Sequence, residues 1–464
     1  MPEQHPRMSA GDQMMHLGEG DPSRRSSMVN LEILQSAPEW DRVVHAFDRM
    51  SRVVPRFRQK VVTPTLPTTA PRWVVDPDFD LGYHLRRVRL PEPGTLRQLL
   101  DLADTIASSP LDPARPLWTV TLVEGLEGGR AALVDHLSHV VADGVGGVAM
   151  AVELYDLTED APLRDMPPVP TPADLSPNEL SKQGLRELPG LGLRRGRALA
   201  GAAVHAVRHP RRSVEFVQSL GRVLHDSGKR SPLLTRRGVS RRTSTLQVDL
   251  AALKAAGKKY DGSVNDAYLA GLTLGLQAYH RASGVDLETL RMAVPVNLRQ
   301  EGDSMEGNAF TGIFFEAPMR EPDLGRRVST IRDAVRAGRD EPAVDVMGLI
   351  APAVVNLPMV VLQELNTNVS MADVQASNVP SYPVDTWIAG RRVVGQYGLG
   401  PLPGVAMMAT MISRNGVCYI AFRYDPLSFD DQPLLEASLR EGFVELVGEA
   451  AVSATDGELE RGER

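Results

Sequence analysis

At 464 residues the chain exceeds what a single ordinary hydrophobic core supports, so two domains of roughly 200 residues each are expected. Its 42% hydrophobic and 23% charged residues are those of a soluble globular protein, and a net charge of -7 excludes a whole-chain signature of nucleic-acid binding. Cys418 stands alone, which excludes an internal disulfide and a cysteine-built metal site and suits a reducing compartment.

The N-terminus, Met1-Pro2-Glu3-Gln4-His5, lacks the apolar core of a secretory signal, so a location inside the cell is expected. The spacing of Val43, Val44, Phe47, Met50, Val53 and Val54 predicts a helix. Leu117 to Val123 and Ala131 to Leu137 are β-rich runs separated by Gly125, Gly128 and Gly129, which predicts a hairpin. Helical spacing returns from Val145 to Leu157. These elements place a first domain at residues 1–158.

From Glu159 to about Pro189, Pro162, Pro167, Pro168, Pro170, Pro172 and Pro177 deny helix interiors and central strands, which predicts a connector. Arg194 to Arg242 is then strongly basic, with Leu199, Val204, Val214, Phe216, Leu220 and Leu224 between the charges, as in an amphipathic helix broken near Pro210. Two readings stay open for it. One is docking on an anionic membrane, with each basic residue contributing about 1 kcal/mol, and the other is a solvated face balancing acidic surface elsewhere. Connector and basic segment together span 159–242. His205 and His209 share a helix face, but with Pro210 following and no third ligand they are read as surface histidines, and no metal is expected.

A second domain is expected over 243–450. Ser263 caps a predicted helix from Val264 to about Tyr279, Leu290 to Val296 and Asn308 to Phe315 read as strands, and Val405 to Phe422 reads as a hairpin turning at Asn415-Gly416. The uncharged run from Val346 to Gln363 is interrupted by Gly348, Pro352, Asn356 and Pro358, so two short buried helices fit it better than a membrane span. Cys418 is read as a small buried hydrophobe within its strand, and Met407-Met408-Ala409-Thr410-Met411 as packing more than an acyl groove. A last helix, about Gln432 to Val447, precedes a charged tail over 451–464 that is expected to be disordered.

The segment carrying chemistry is Ser138-His139-Val140-Val141-Ala142-Asp143-Gly144, between a predicted strand and a predicted helix. There an imidazole projects from a rigid edge, Gly144 permits a sharp turn, and histidine accepts a proton from a hydroxyl near neutral pH. His-x-x-x-Asp-Gly is a weak pattern by itself. No Gly-x-Ser-x-Gly elbow, His-Glu-x-x-His or phosphate-binding glycine loop competes with it.

Further pieces accompany it: Pro55-Arg56-Phe57-Arg58-Gln59, Trp73, Phe79-Asp80, His84, Pro116-Leu117-Trp118, Asn265-Asp266, Pro295-Val296-Asn297-Leu298-Arg299, Gly307-Asn308 and Ser377-Asn378-Val379-Pro380. In this order and spacing the sequence resembles the bacterial wax ester synthase/diacylglycerol acyltransferases over nearly its whole length. The resemblance implies a mixed α/β (α+β) fold of two chloramphenicol-acetyltransferase-like domains with an active-site channel between them. It implies His139 as general base, with an acceptor hydroxyl attacking the acyl thioester directly, Asp143 in a structural role with Arg299 as a candidate partner, and Gly144 in the turn. The implied partners are long-chain acyl-CoA as substrate, with no cofactor, and diacylglycerol or a fatty alcohol as acceptor, at an inner-membrane or lipid-droplet surface and without nucleic acid.

Trp118 is read as a core anchor more than a substrate contact. For Asn265 and Asp266, helix capping and channel lining stay equally open, and Asn297, Arg299, Asn308 and Asn378 enter as motif support. The sequence departs from the family pattern at Ser138, where a first histidine is common, at Asn297, where serine is frequent, and at Ser381-Tyr382, where glycine is usual. Strand alternation puts Ser138, with His136, on the face opposite His139. Two alternatives follow from the departures: an acyltransferase of the same fold acting on another lipid or a carrier-bound substrate, and a non-catalytic paralogue that binds acyl lipids.

Overall fold

The computed structural model describes residues 5–141, 144–187, 230–297, 310–340 and 372–453. In chain order the first half contains α1 (Ala10–Gly18), β1 (Ser27–Leu34), α2 (Trp40–Val53), β2 (Gln59–Val62), β3 (Arg72–Val75), the single turn α3 (Leu81–His84), β4 (Leu85–Arg89), α4 (Leu96–Ser108), β5 (Trp118–Glu124), β6 (Ala131–Ser138) and α5 (Gly144–Leu154). The second half contains β7 (Arg242–Asp249), α6 (Leu250–Lys259), α7 (Val264–Ala282), β8 (Thr289–Asn297), β9 (Phe310–Pro318), α8 (Leu324–Arg339), β10 (Val374–Pro380), β11 (Trp387–Ile388), β12 (Arg391–Leu399), β13 (Met407–Arg414), β14 (Val417–Tyr424), α9 (Gln432–Val447) and β15 (Val452–Ser453).

Two mixed sheets dominate. The first runs β11-β12-β1-β6-β5-β4, the second β15-β7-β14-β13-β10-β8-β9, and β2 and β3 pair separately. Strand β6 is antiparallel to both neighbours, with Ser138 opposite Ser27 of β1 and Leu137 opposite Trp118 of β5. Its alternation divides two cores. Ala131, Leu133 and Leu137 pack with Val43, Phe47 and Met50 of α2 and Met150 and Leu154 of α5. On the other face, Ala132 and Val134 pack with Leu99, Leu100 and Ala103 of α4 and with Tyr419 and Ala421 of the second sheet.

A third core lies under α7 and α9, where Leu272, Leu276, Leu435, Leu439 and Phe443 are fully or almost fully buried. Ser263 caps α7, and Asn415 and Gly416 turn the β13–β14 hairpin with φ of 42° and 83°, the left-handed geometry that asparagine and glycine tolerate. Cys418 is buried, and burial pushes its thiol up to about 12.

The structure adds three features to the domain expectations. The sheets do not follow the division at residue 243, because β11 and β12 cross over to join the first sheet beside β1. The stretch 159–189 is not helix-free: residues 177–187 are helical, with Pro177 at the first position, where its missing N–H is harmless. Ser176 and Glu179 cap that helix reciprocally, the Glu179 amide donating to Ser176 Oγ at 3.2 Å and the Ser176 amide to Glu179 Oε2 at 3.1 Å. Finally, the tail expected from 451 is ordered at its start, where Val452 and Ser453 pair with Val248 and Gln247.

The proline-rich stretch is also strapped down. Arg42, His45, Arg49 and Arg52 form one stripe along α2 and donate to the carbonyls of Ala161, Arg164, Asp165 and Pro167 at 2.9–3.0 Å. An extended segment that cannot pair in a sheet thereby satisfies its carbonyls with side chains. Most of the basic segment, with His205 and His209, and the run 346–363 lie outside the described residues. Among those described, no helix is long and apolar enough to cross a membrane.

Candidate functional site

All eight residues of β6 are buried, and the strand ends at Ser138. His139 opens the turn immediately beyond it and is half-buried, while Val140 and Val141 return to the core. The turn closes with the Val141 amide donating to the Ser138 carbonyl at 3.0 Å, and α5 begins at Gly144. Asp143 lies outside the described residues.

Neighbouring motifs hold this strand end in place. The Ser138 amide donates to the Leu117 carbonyl at 3.0 Å, so Pro116-Leu117-Trp118 grips the residue preceding His139. Trp118 is fully buried and donates from Nε1 to the Phe57 carbonyl at 2.9 Å. His84 stacks on it with ring centres 4.3 Å apart and donates from Nδ1 to the Trp118 carbonyl at 2.7 Å. Phe79 stacks on His84, and the Arg58 guanidinium lies 4.3 Å from the Phe79 ring centre while pairing with Asp48 at 2.6 Å. Arg58, Phe79, His84, Trp118 and Phe57 thus form one column beside the exit of β6. Burial lowers the His84 pKa to about 4, so its imidazole is neutral at physiological pH. Sequence reading picked out these residues singly, and nothing in their spacing announced the column.

On the opposite face, Ser138 is fully buried and donates to Glu19 Oε1 at 3.1 Å. Ser26 donates to the same oxygen, and burial raises the Glu19 pKa while both hydroxyls oppose the rise. His136 is buried on that face too, its pKa lowered to about 3 by burial and then by the positive field of Arg423, Arg25 and Arg86. An imidazole so hard to protonate makes a poor base for a buried hydroxyl.

A polar network fills the α5 side of the first sheet. Glu32 of β1 and Asp135 of β6 are nearly fully buried, and burial raises both carboxyl pKa values, Asp135 further through the adjacent Glu32. Tyr155, just past α5, donates to Glu32 Oε1 at 2.8 Å and accepts from Gln396 Nε2 at 2.8 Å. Ser381 donates to Gln396 Oε1 at 2.9 Å, and the Tyr382 ring packs 5.1 Å from Tyr155. The departures Ser381 and Tyr382 therefore tie the end of β10, three residues past Asn378, to the sheet that carries His139. Alternating hydrophobicity gave no signal for buried acids at Glu32 and Asp135, and sequence reading missed them.

The second-half residues are dispersed. Asp266 is buried and closes a capping box, its Oδ2 accepting from the Ser263 amide at 2.7 Å, and Asn265 is half-buried beside it. Asn297 ends β8, and Asn378 is half-buried in β10 opposite Met411. Arg299 and Asn308 lie outside the described residues.

Known proteins are similar to this chain in sequence and in fold. A family model described as the wax ester synthase/diacylglycerol acyltransferase catalytic domain matches residues 5–268, and one described as the WS/DGAT C-terminal domain matches residues 306–446. A putative diacylglycerol O-acyltransferase of Mycobacterium tuberculosis H37Rv is 50% identical over 445 residues, covering 94% of this chain and 90% of the relative. Another from the same strain is 28% identical over 386 residues, 80% of this chain and 75% of its own. Among solved structures, the wax ester synthase/diacylglycerol acyltransferase of Marinobacter aquaeolei VT8 matches with a TM-score of 0.64 at 22% identity, covering 95% of this chain and 98% of that one. The first condensation domain of the calcium-dependent antibiotic synthetase matches at 0.60 and 16% identity, covering 97% and 98%. At such identities the likeness is one of fold: the mixed α/β, chloramphenicol-acetyltransferase type.

Proposed function

The chain belongs to the wax ester synthase/diacylglycerol acyltransferase family, and from that premise we propose that it transfers a long-chain acyl group from coenzyme A to the hydroxyl of diacylglycerol or a long-chain alcohol, with His139 as general base. That it is an acyltransferase of this type follows from the family, and the proposal adds the base, the donor and the acceptor. The observation that carries it is the position of His139, half-exposed and fixed one residue beyond a fully buried strand.

In the reaction the acceptor O–H gives its proton to the imidazole as its oxygen attacks the thioester carbonyl. The new C–O bond forms, the C–S bond breaks, and the leaving thiolate takes the proton back from the imidazolium. A thioester is already activated, so proton removal and positioning suffice without an acyl-enzyme. A peripheral membrane or lipid-droplet site of action is part of the same proposal, supported by the apolar substrates and the basic stretch around Arg211 and Arg212.

The test incubates the purified chain with labelled palmitoyl-CoA and either dioleoylglycerol or hexadecanol. Labelled triacylglycerol or wax ester from the wild type, and almost none from His139→Ala, is the expected result. Equal product from the two proteins overturns the assignment of the base.

A further inference from the structure

A shallow cleft of about 30 Å³, partly open to solvent, lies where the two halves meet beside the end of β6. Pro22, Ser23, Arg25, Ser27, Ala107 and Ser108 line it from the first half, and Val239, Arg241, Pro401, Leu402 and Arg423 from the second. Ser27 pairs with Ser138, the residue before His139, so it lies with Ser138 on the between-sheet face, and a chain leaving the cleft reaches His139 by rounding the end of β6.

The wall chemistry favours an anion. Arg241 has Asp425 at 3.5 Å and Arg423 has Asp104 at 3.5 Å, so those two charges are largely offset. Arg25 instead bonds carbonyls, donating from Nη1 to Ser108 at 2.6 Å and from Nε to Glu19 at 3.3 Å. The nearby Glu19 carboxyl is already engaged by Ser26 and Ser138, and its burial opposes ionisation. Arg25 is thus the guanidinium of this wall whose hydrogen bonds go to carbonyl oxygens, whereas Arg241 and Arg423 each face a carboxylate.

A second, independent observation points to a ligand. Ser27 is 2% exposed, and its Oγ has no hydrogen-bond partner in the protein. A buried hydroxyl on a cleft wall without a partner is costly unless something enters to accept its proton. Apolar surface from Pro22, Ala107, Val239, Pro401 and Leu402 accompanies these polar groups, so the occupant has uncharged parts as well as anionic ones.

We propose that this cleft is the phosphoryl-binding subsite for the acyl donor, in which Arg25, with Arg241 and Arg423 behind it and the Ser27 hydroxyl beside it, holds a phosphate of coenzyme A while the pantetheine arm runs toward His139. The proposal rests on the acyl-CoA reading above. Guanidinium groups suit the task because their forked donors match phosphate oxygens and stay charged when partly buried. A phospholipid headgroup carries the same chemistry, so the experiment must separate the two sources.

The test measures equilibrium binding of coenzyme A to the full-length protein by calorimetry, without acceptor, so that no turnover is needed. Arg25→Gln is expected to weaken coenzyme A by about tenfold, the loss of one charge-assisted contact. Arg25→Lys, which keeps the charge and loses the fork, should fall between Gln and wild type. Affinity for palmitoyl-pantetheine, a thioester without the nucleotide, should not change, nor should binding to vesicles of phosphatidylglycerol. Should Arg25→Gln fail to fold, as judged by thermal melting, Arg25→Lys against wild type carries the test. Unchanged coenzyme A affinity in both variants overturns the proposal, as does a loss confined to vesicles. If Arg25→Gln weakens coenzyme A but the wild type acylates no acceptor, the subsite stands and the transfer reading falls. If transfer proceeds and coenzyme A binding ignores Arg25, the reverse holds.

Discussion

The two faces of β6 bury ionisable groups of opposite kind. Toward α5 the strand carries Asp135, whose pKa is raised by burial and by Glu32; toward the second sheet it carries His136, whose pKa is lowered to about 3. Burial favours the neutral form of each, a protonated acid on one side and a deprotonated imidazole on the other. The difference teaches where proton transfer can occur along this strand. Within the sheet, desolvation disarms either chemistry, and the base proposed above, His139, stands just past the strand's end, half-buried.

The largest predicted effect tests that contrast directly. His139→Ala should lower the rate of ester formation by about 100- to 10,000-fold, the range of a positioned general base, with little change in melting temperature. His136→Phe should leave the rate near that of the wild type. A collapse of activity in His136→Phe with an intact fold would break the comparison, because it would place a base on the face between the sheets.

Trp118 sharpens it from the packing side. Its ring joins Phe47, Phe57 and His84, and its backbone registers β5 against Leu137, so Trp118→Ala should destabilise the protein by about 3–5 kcal/mol in chemical denaturation. Activity should fall with the folded fraction. Loss of activity at full stability would instead make Trp118 a substrate contact.

Opposite ionisation also predicts opposite pH signs. His136 and His84 have folded pKa values of about 3 and about 4, below the ordinary value near 6.5, so the unfolded chain binds more protons in between. Their contribution to stability is full above about pH 6.5 and is lost as pH falls toward 4. Asp135 and Glu32 have raised folded values, so the native state binds the extra proton and their contribution grows as pH falls toward the ordinary carboxyl range. Denaturation midpoints measured from pH 7.5 to 4.5 should therefore decline less steeply in His136→Phe than in wild type, and more steeply in Asp135→Asn. Parallel slopes in all three proteins would show that neither group changes protonation between native and unfolded states.

Much of this frame was legible in sequence, because its signals are local. The period of Val43, Phe47 and Met50, the cap at Ser263 and the Asn415-Gly416 turn each specify an element from within a few residues. What escaped depends on partners distant in the chain. The crossover of β11 and β12 to the first sheet reflects pairing of Gln396 with Glu32, which strand periodicity cannot encode. The clasp on the proline-rich stretch joins Arg42 to Ala161 across 119 residues. Pro177 denies a helix interior as expected and is accommodated at the first turn, where its missing N–H is harmless. At the site, the position of His139 followed from the strand-to-helix boundary, whereas the cleft beside Ser27 is assembled from five separate segments and has no signature in any of them.

The smallest predicted effect concerns Ser138, the last residue of β6 and the one before His139. Its hydroxyl faces Glu19 between the sheets, away from the turn, so Ser138→Ala should remove a single hydrogen bond and destabilise the fold by about 1 kcal/mol while ester formation continues at the wild-type rate. The penalty should depend on pH. Removing the hydroxyl takes away one of the bonds that hold down the Glu19 pKa, so the carboxyl can take up a proton more readily and escape part of the loss. The destabilisation should thus be greatest at alkaline pH, where Glu19 must stay charged with one donor fewer, and should shrink as the solution is acidified. A rate defect in Ser138→Ala, with this stability signature absent, would move Ser138 from the buried face into the active site.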